Sequence, residues 1–334
     1  MTPVVHFLRK PGLRGFSIER LFADVRAALP ADIACTVCVS RFESQGFLAR
    51  LYNVAEAAWR RGPVNHITGD VHFLAMGLPR RRTILSVMDC GNLHRLKGWR
   101  RAILKFFWFT WPLRCVRLVT TISEATRQEL IELTGVAPEK VRVVYCPVSP
   151  EFIPQPAEFY AERPRILMLG GAPNKNRERM AAALAGIPCV VDLVGAPSPE
   201  QVIAFQKAGV AFEAYHRLTD VELVGAYQRC DLVLFASTHE GFGLPIVEGQ
   251  AVGRPVVTSN CSSMAEVADE SACLVDPFDV ASIRAGVLRV IGDADFRDDL
   301  VRRGFENVKR FSARAVAEQY AAIYREVAAS SEGR

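Results

Sequence analysis

Apolar residues in this chain fall into short unbroken runs, each followed by a longer stretch in which they recur at helical spacing. In the first half the runs cover residues 4–8, 33–39, 64–68, 82–87, 117–121 and 140–145. Helical spacing covers 18–29, with Ser17 as cap, and 46–61, and a further helix opens at Ser123 as its cap. In the second half the runs at 165–171, 189–194, 210–212, 231–236, 255–259 and 272–275 alternate with helices over 199–208, 219–229, 245–252, 264–269 and 280–291. Helices at about 295–311 and 313–329 close the chain. Short apolar strands alternating with helices predict parallel sheets covered on both faces. Pro147, Pro150, Pro154, Pro156 and Pro164 interrupt the alternation and mark a domain boundary. Two α/β domains are therefore expected: residues 1–152, joined by the C-terminal helix at about 313–330, and residues 160–312.

One stretch organises the second half: Ser237-Thr-His-Glu-Gly-Phe-Gly-Leu-Pro-Ile-Val-Glu248. It leaves a buried strand and turns at once into a helix, with Pro245 in the first turn where a missing N–H costs nothing. Gly241 and Gly243 make that turn tight enough to aim backbone N–H groups above the sheet, where the helix dipole favours an anion. Glu240 and Glu248 frame the turn. A helix start that binds an anion, flanked by two acids, suits a ligand carrying both phosphate and hydroxyls, and a nucleotide sugar carries both. Lys175, in the turn Gly170-Gly-Ala-Pro-Asn-Lys-Asn176, is a flexible point charge suited to phosphate.

Polar residues also follow strands of the first half. Asp70, His72 and Asp89 stand beyond the third and fourth strands, where ligands sit in open α/β sheets, although caps and turn formers occupy the same positions. Gly12 and Gly15 either let a ligand approach the backbone or only make a turn. Ser123 joins this group as a second-rank candidate for the acceptor side.

Charge changes the picture further. The net charge of +5 divides into +11 over residues 1–150 and −6 over residues 151–334, so the first half expects an anionic partner or carries an arginine-rich soluble surface. Residues 93–118 interleave seven basic residues with three Trp and three Phe. Three readings stand: a helix with aromatics on the sheet and arginines in water, an interfacial anchor on an anionic membrane surface, or a stacking surface for single-stranded nucleic acid. Nucleic acid is the weakest and is not expected as a partner. Half the residues are hydrophobic, which excludes a disordered chain, and no run approaches the ~20 apolar residues of a membrane span. The start of the chain lacks the pattern of a secretory leader, and nine dispersed cysteines fit a reducing cytoplasm. Cys35 and Cys38 are formally a Cys-x-x-Cys pair, but no second pair or histidine cluster joins them, and buried strand cysteines are expected.

Residues 165–292 resemble the donor half of a retaining glycosyltransferase of family 4, with the two-domain GT-B fold. The resemblance rests on Leu167-Met-Leu-Gly, Lys175-Asn176, residues 231–248, Ala251-Val-Gly-Arg-Pro-Val-Val-Thr-Ser-Asn260 and Leu274-Val-Asp-Pro277. The first half is similar more weakly, through Ser-Glu-Ala-Thr at Ser123 and Met88-Asp89. The resemblance implies two Rossmann-like domains facing across a cleft. It also implies transfer of a hexose of mannose or glucose type from a GDP- or UDP-sugar to an acceptor hydroxyl, with neither cofactor nor metal. Glu240 would bind hydroxyls of the transferred sugar, and Glu248 the ribose diol. Lys175, with Gly171, Asn176 and the backbone of Gly241, Phe242, Gly243 and Leu244, would hold the diphosphate. Asp89 would complete the catalytic set. The acceptor would be a lipid-linked saccharide or envelope glycan, met in the cytoplasm or at the inner face of the plasma membrane. Two departures stand out: relatives carry an Arg before the Lys and a His before the Asp, where this chain has the Gly171–Asn174 turn and Met88. A GT-B-like protein that binds a nucleotide sugar without turnover is the alternative.

Overall fold

The computed structural model describes residues 1–10, 17–91, 93 and 98–332. The chain divides into two compact units, Met1–Pro147 with Ala313–Arg334, and Val148–Ser312. The change at Pro147–Val148 comes before the position 152 read from the proline cluster. Val148 N donates to Phe311 O at 2.8 Å, and Phe152 meets Tyr227 edge-on at 5.3 Å, so these residues belong to the second unit.

The first unit is a six-stranded sheet in the order β2-β1-β3-β4-β5-β6, with every pairing parallel. Its strands are β1 Thr2–Leu8, β2 Ile33–Val39, β3 Val64–Ile67, β4 Thr83–Val87, β5 Leu118–Thr121 and β6 Val141–Val143. Helices α1 Ser17–Ala27 and α2 Phe47–Trp59 follow β1 and β2. After β4 comes α3 Gly98–Leu104, a π-helical segment Lys105–Thr110 and the short α4 Trp111–Arg114, and α5 Glu124–Thr134 follows β5. The core on that side of the sheet gathers Phe7, Ile67, Phe73, Leu74, Leu85, Phe109 and Leu113.

The second unit is again six parallel strands, ordered β12-β11-β10-β7-β8-β9. Its strands are β7 Arg165–Leu169, β8 Val190–Val194, β9 Ala211–Tyr215, β10 Leu232–Phe235, β11 Val256–Ser259 and β12 Cys273–Val275. Helices α6 Arg177–Leu184, α7 Pro199–Ala208, α8 Asp220–Arg229, α9 Leu244–Val252, α10 Ser262–Ala268, α11 Val280–Gly292 and α12 Ala294–Val308 intervene or follow. Counted within the unit this is the order of a doubly wound sheet, which reverses direction between β7 and β10. Capping boxes at Ser198 with Gln201 and Thr219 with Glu222 fix the starts of α7 and α8.

The last helix, α13 Ala313–Glu332, returns to the first unit and packs on α1, β1 and β3. There the Tyr324 hydroxyl lies 2.8 Å from His6 Nε2 and 2.7 Å from His66 Nδ1, and His66 Nε2 lies 2.7 Å from Ser86 Oγ. Ser86 Oγ in turn bonds Thr120 Oγ1 at 2.7 Å. All of these groups are buried, which a polar chain tolerates only when it is paired. Burial pushes both imidazoles down, His66 to about 3, so the pair sits neutral. Cys35 and Cys38 are three positions apart on β2 and so point to opposite faces of the sheet, where no single metal could reach both. Among the described residues no helix is long and apolar enough to cross a membrane.

Candidate functional site

The reversal between β7 and β10 places two loops side by side at the carboxyl ends of the strands. Thr238 N donates to Asn174 O at 2.8 Å, and Asn174 Nδ2 donates to His239 O at 2.9 Å, so one backbone and one side-chain bond tie the loops together. Across this junction Lys175 Nζ donates to Glu240 Oε1 at 2.7 Å, and Asn174 Nδ2 reaches the same oxygen at 3.2 Å. The ammonium also lies 4.8 Å from the centre of the Phe235 ring. Both charged side chains are largely buried, 20% and 14% exposed, so the pair interacts more strongly than a surface ion pair would.

The turn that carries Lys175 depends on its glycines. Gly170 has φ +79°, and a Cβ there would meet Lys175 Cε at 2.7 Å. A Cβ on Gly171 would approach the Ala196 carbonyl oxygen to 2.5 Å. Asn176, at φ 60°, spends its amide differently from the ligand contact expected of it. Its Nδ2 donates to Ala236 O at 2.9 Å and Pro277 O at 2.7 Å, and its Oδ1 accepts from Arg179. Asn176 thereby pins three strand ends together, and its side chain is buried.

The glycine turn at Glu240–Leu244 is held from one side. Ser262 and Ser263 hydroxyls donate to Glu240 O at 2.9 Å each, and Ser263 Oγ also reaches Phe242 O at 2.8 Å. A trans peptide sets N–H opposite C=O. Fixing those two carbonyls on α10 therefore turns the N–H groups of Gly241 and Gly243 the other way. Gly243, at φ 106°, begins α9, and the helix dipole adds to the positive end. Phe242 is buried against Phe311 and contributes backbone only. Glu248 lies in the second turn of α9 and accepts from the Tyr227 hydroxyl at 2.5 Å. Burial raises Tyr227 well above the ordinary phenol range, so it stays a donor.

Sequence reasoning missed Asn174, Tyr227, Ser262 and Ser263, which orient the expected groups, and it missed Arg177. That guanidinium is fully buried beneath the glycine turn, donating to Val194 O at 2.8 Å and Gly195 O at 3.1 Å. Burial lowers its pKa to about 10. The only signal for Arg177 was a basic residue directly after the turn, and nothing in the pattern said it would point inward.

In the first unit, Asp70 and His72 follow β3 and Asp89 follows the neighbouring β4. Asp70 lies 3.6 Å from Arg9 Nη1. His72 is buried, with Nδ1 2.8 Å from Trp108 O and no partner for Nε2 among the described residues. Burial lowers its pKa, while Asp70 and Asp89 pull it upward. The Asp89 side chain is exposed and accepts from Gly91 N at 2.8 Å. Met88 beside it is buried and apolar. Ser123 is fully buried, with its hydroxyl accepting from Thr126 N at 3.0 Å as the cap of α5. Gly12 and Gly15 lie outside the described residues.

A cavity of about 470 Å³ lined by Gln155, Arg254, Arg297 and Phe305 lies at the amino ends of β10 and β11. Parallel sheets take ligands at the opposite end. Chemistry and topology therefore make Lys175 and Glu240 the candidate site.

Comparison with known proteins identifies the family. Residues 163–293 match the family model for glycosyl transferases group 1, and residues 57–152 match that for glycosyltransferase family 4. The MMP alpha-(1->4)-mannosyltransferase of Mycolicibacterium hassiacum is 30% identical over 357 aligned residues, covering 97% of this chain and 84% of that one. O-antigen chain mannosyltransferase B of Escherichia coli is 27% identical over 223 residues, 60% of this chain and 58% of the relative. The match to the serotype-specific mannosyltransferase WbdA of E. coli covers only 27% of that longer protein. Among solved structures, Anabaena HepE in complex with UDP and glucose aligns over 98% of this chain and all of its own, with TM-score 0.78 at 15% identity. Sucrose-phosphate synthase of Thermosynechococcus elongatus aligns over 99% of this chain and all of its own, with TM-score 0.77 at 18% identity. The two parallel six-stranded sheets are those of the GT-B fold, and the chain belongs to glycosyltransferase family 4.

Proposed function

We propose that the protein transfers a hexose, of mannose or glucose type, from a GDP- or UDP-sugar to an acceptor hydroxyl with retention of configuration. The observation that carries this reading is the Lys175–Glu240 pair at the sheet reversal, beside the start of α9. Lys175 and the N–H groups of the Gly241–Gly243 turn suit a diphosphate, and Glu240 suits the hydroxyls of the sugar. As the sugar–phosphate bond breaks, negative charge grows on the leaving phosphate, and positive groups already in place stabilise it. The leaving phosphate takes the acceptor proton, so no separate base is assigned, and no step is routed through a metal or cofactor. Tyr227 positions Glu248 for the ribose. Asp89, Asp70 and His72 are read as polar groups of the acceptor half.

The relatives act in mannosyl transfer by name, including an O-antigen chain enzyme, and this supports a glycan acceptor. A lipid-linked saccharide met at the inner face of the plasma membrane fits the basic, aromatic segment 93–118. The test is turnover of a panel of GDP- and UDP-sugars with product analysis by NMR. Wild type is expected to release nucleoside diphosphate and an axial or equatorial product matching its donor. Glu240→Gln is expected to lose turnover while keeping its fold, and full activity in that variant would sink the assignment. Buried, apolar Met88 favours a second reading, a nucleotide-sugar-binding protein with weak or no turnover. Donor binding by calorimetry without turnover on any acceptor would support it.

A further inference from the structure

More than half of the exposed large apolar side chains, twelve of twenty-two among the described residues, lie in three short segments at 42–59, 76 and 99–111. All three sit on one side of the first sheet. Helix α2 and the helical segment 98–114 both pack on the turn His72–Gly77, and Arg50 stacks over Trp108 at 5.4 Å, joining them. Inward, Asn53, Ala57, Phe109 and Leu113 are buried. Outward, Phe47 and Leu48 are each 78% exposed, Leu51 54%, Trp99 69%, Ile103 50% and Phe107 48%. Helix α2 is therefore apolar on two faces, and among the described residues only one of them has a protein partner.

We infer that these two helices form a single docking face for an anionic phospholipid surface, with α2 supplying half of it. This rests on the peripheral reading above and extends it to a helix outside the 93–118 segment. Charge selects the occupant. The described residues 98–118 hold five basic residues and no acid. The single carboxylate of α2, Glu56, is mostly buried and lies 3.5 Å from Arg60. A second copy of the chain meeting this face through a two-fold axis would set arginine against arginine. An anionic headgroup layer neutralises the same residues, while Phe, Leu, Ile and Trp enter the acyl boundary. Bases stacking on aromatics would leave Leu48, Leu51 and Ile103 unused.

The experiment is flotation of the purified chain with vesicles of phosphatidylcholine alone, and of phosphatidylcholine with about one-third phosphatidylglycerol. Two variants accompany wild type: Phe47→Ser/Leu48→Ser/Leu51→Ser and Trp99→Ser/Phe107→Ser. Because all five side chains face outward, unchanged thermal unfolding and unchanged donor turnover in detergent should show that both variants fold. Wild type is expected to float with the anionic vesicles only, less so at high salt, and each variant is expected to lose about tenfold or more in partition coefficient. Loss confined to the Trp99/Phe107 variant would overturn the role of α2 while sparing the peripheral reading. No flotation of wild type would overturn both. Dimerisation or oligonucleotide binding that the α2 variant abolishes, without flotation, would also overturn the inference.

Discussion

The two units are built on nearly the same parallel sheet, yet they keep their polar side chains in different places. In the second unit the candidate site lies in loops beyond the strand ends, where Lys175, Asn174 and Glu240 meet across the sheet reversal. In the first unit the best-connected polar groups lie within the sheet and under a helix, as His6, His66, Ser86, Thr120 and Tyr324. Buried polar networks specify how elements pack, whereas loop groups on a rigid sheet remain available to a ligand. The difference teaches that a dense hydrogen-bonded cluster is not by itself a site. The histidine network fastens α13, and the thinner Lys–Glu pair is the one proposed to meet the donor.

The comparison breaks first at Lys175. Lys175→Ala should lower donor turnover by roughly 10²–10³-fold, the scale of removing one preorganised group that stabilises a developing charge. Steady-state release of nucleoside diphosphate measures it, and an unaffected rate would remove the second unit's claim to the chemistry. Next comes acid stability. His6, His66 and His72 are held neutral below their ordinary value near 6.5, so unfolding takes up protons once the pH falls below about 6.5. Their contribution is fully present above that pH and is lost progressively towards the folded value, about 3 for His66. Each adds a slope of up to about 1.4 kcal/mol per pH unit. Urea unfolding from pH 7 to pH 5 should show the first unit weakening before the second, and parallel loss in both would contradict the network's role.

A smaller effect is expected of Tyr324→Phe. It removes one hydroxyl that serves two buried imidazoles and should destabilise the first unit by about 1–3 kcal/mol, with donor binding unchanged. Chemical denaturation followed at the unit's tryptophans reads this out. Smallest is Tyr227→Phe, which takes one hydrogen bond from Glu248 without removing the carboxylate. The donor KM should rise by about three- to tenfold with kcat nearly constant. A fall in kcat with constant KM would show that Tyr227 acts on the reaction and not on the ribose contact.

Much of the fold was legible because both sheets are parallel. Buried strands appear as unbroken apolar runs, so β2 at Ile33–Val39 and α7 at Pro199–Ala208 were read to the residue. The edge strands were less clear: 140–145 shrank to Val141–Val143, and 210–212 grew to Ala211–Tyr215, where half-exposed positions blur the run. The π-helical turn at Lys105–Thr110 left no mark, since aromatic residues fit either helix. Periodicity identified α2 but could not tell that it has two apolar faces. At the site, Lys175, Glu240 and Glu248 stood out because short-range motifs carry them. Asn174, Arg177 and Tyr227 did not, because their value comes from partners 17 to 66 positions away.

The discontinuity of the first unit bears on how the chain is made. Its sheet leaves the ribosome within the first 147 residues, but α13 follows only after the whole of Val148–Ser312. At typical synthesis rates that gap is roughly 10–30 s. Throughout it, the face of β1 and β3 that α13 will cover stands open to solvent and to other nascent chains. His6 and His66 on that face, with Ser86 and Thr120 beside them, make the surface that waits longest for its cover a wettable one.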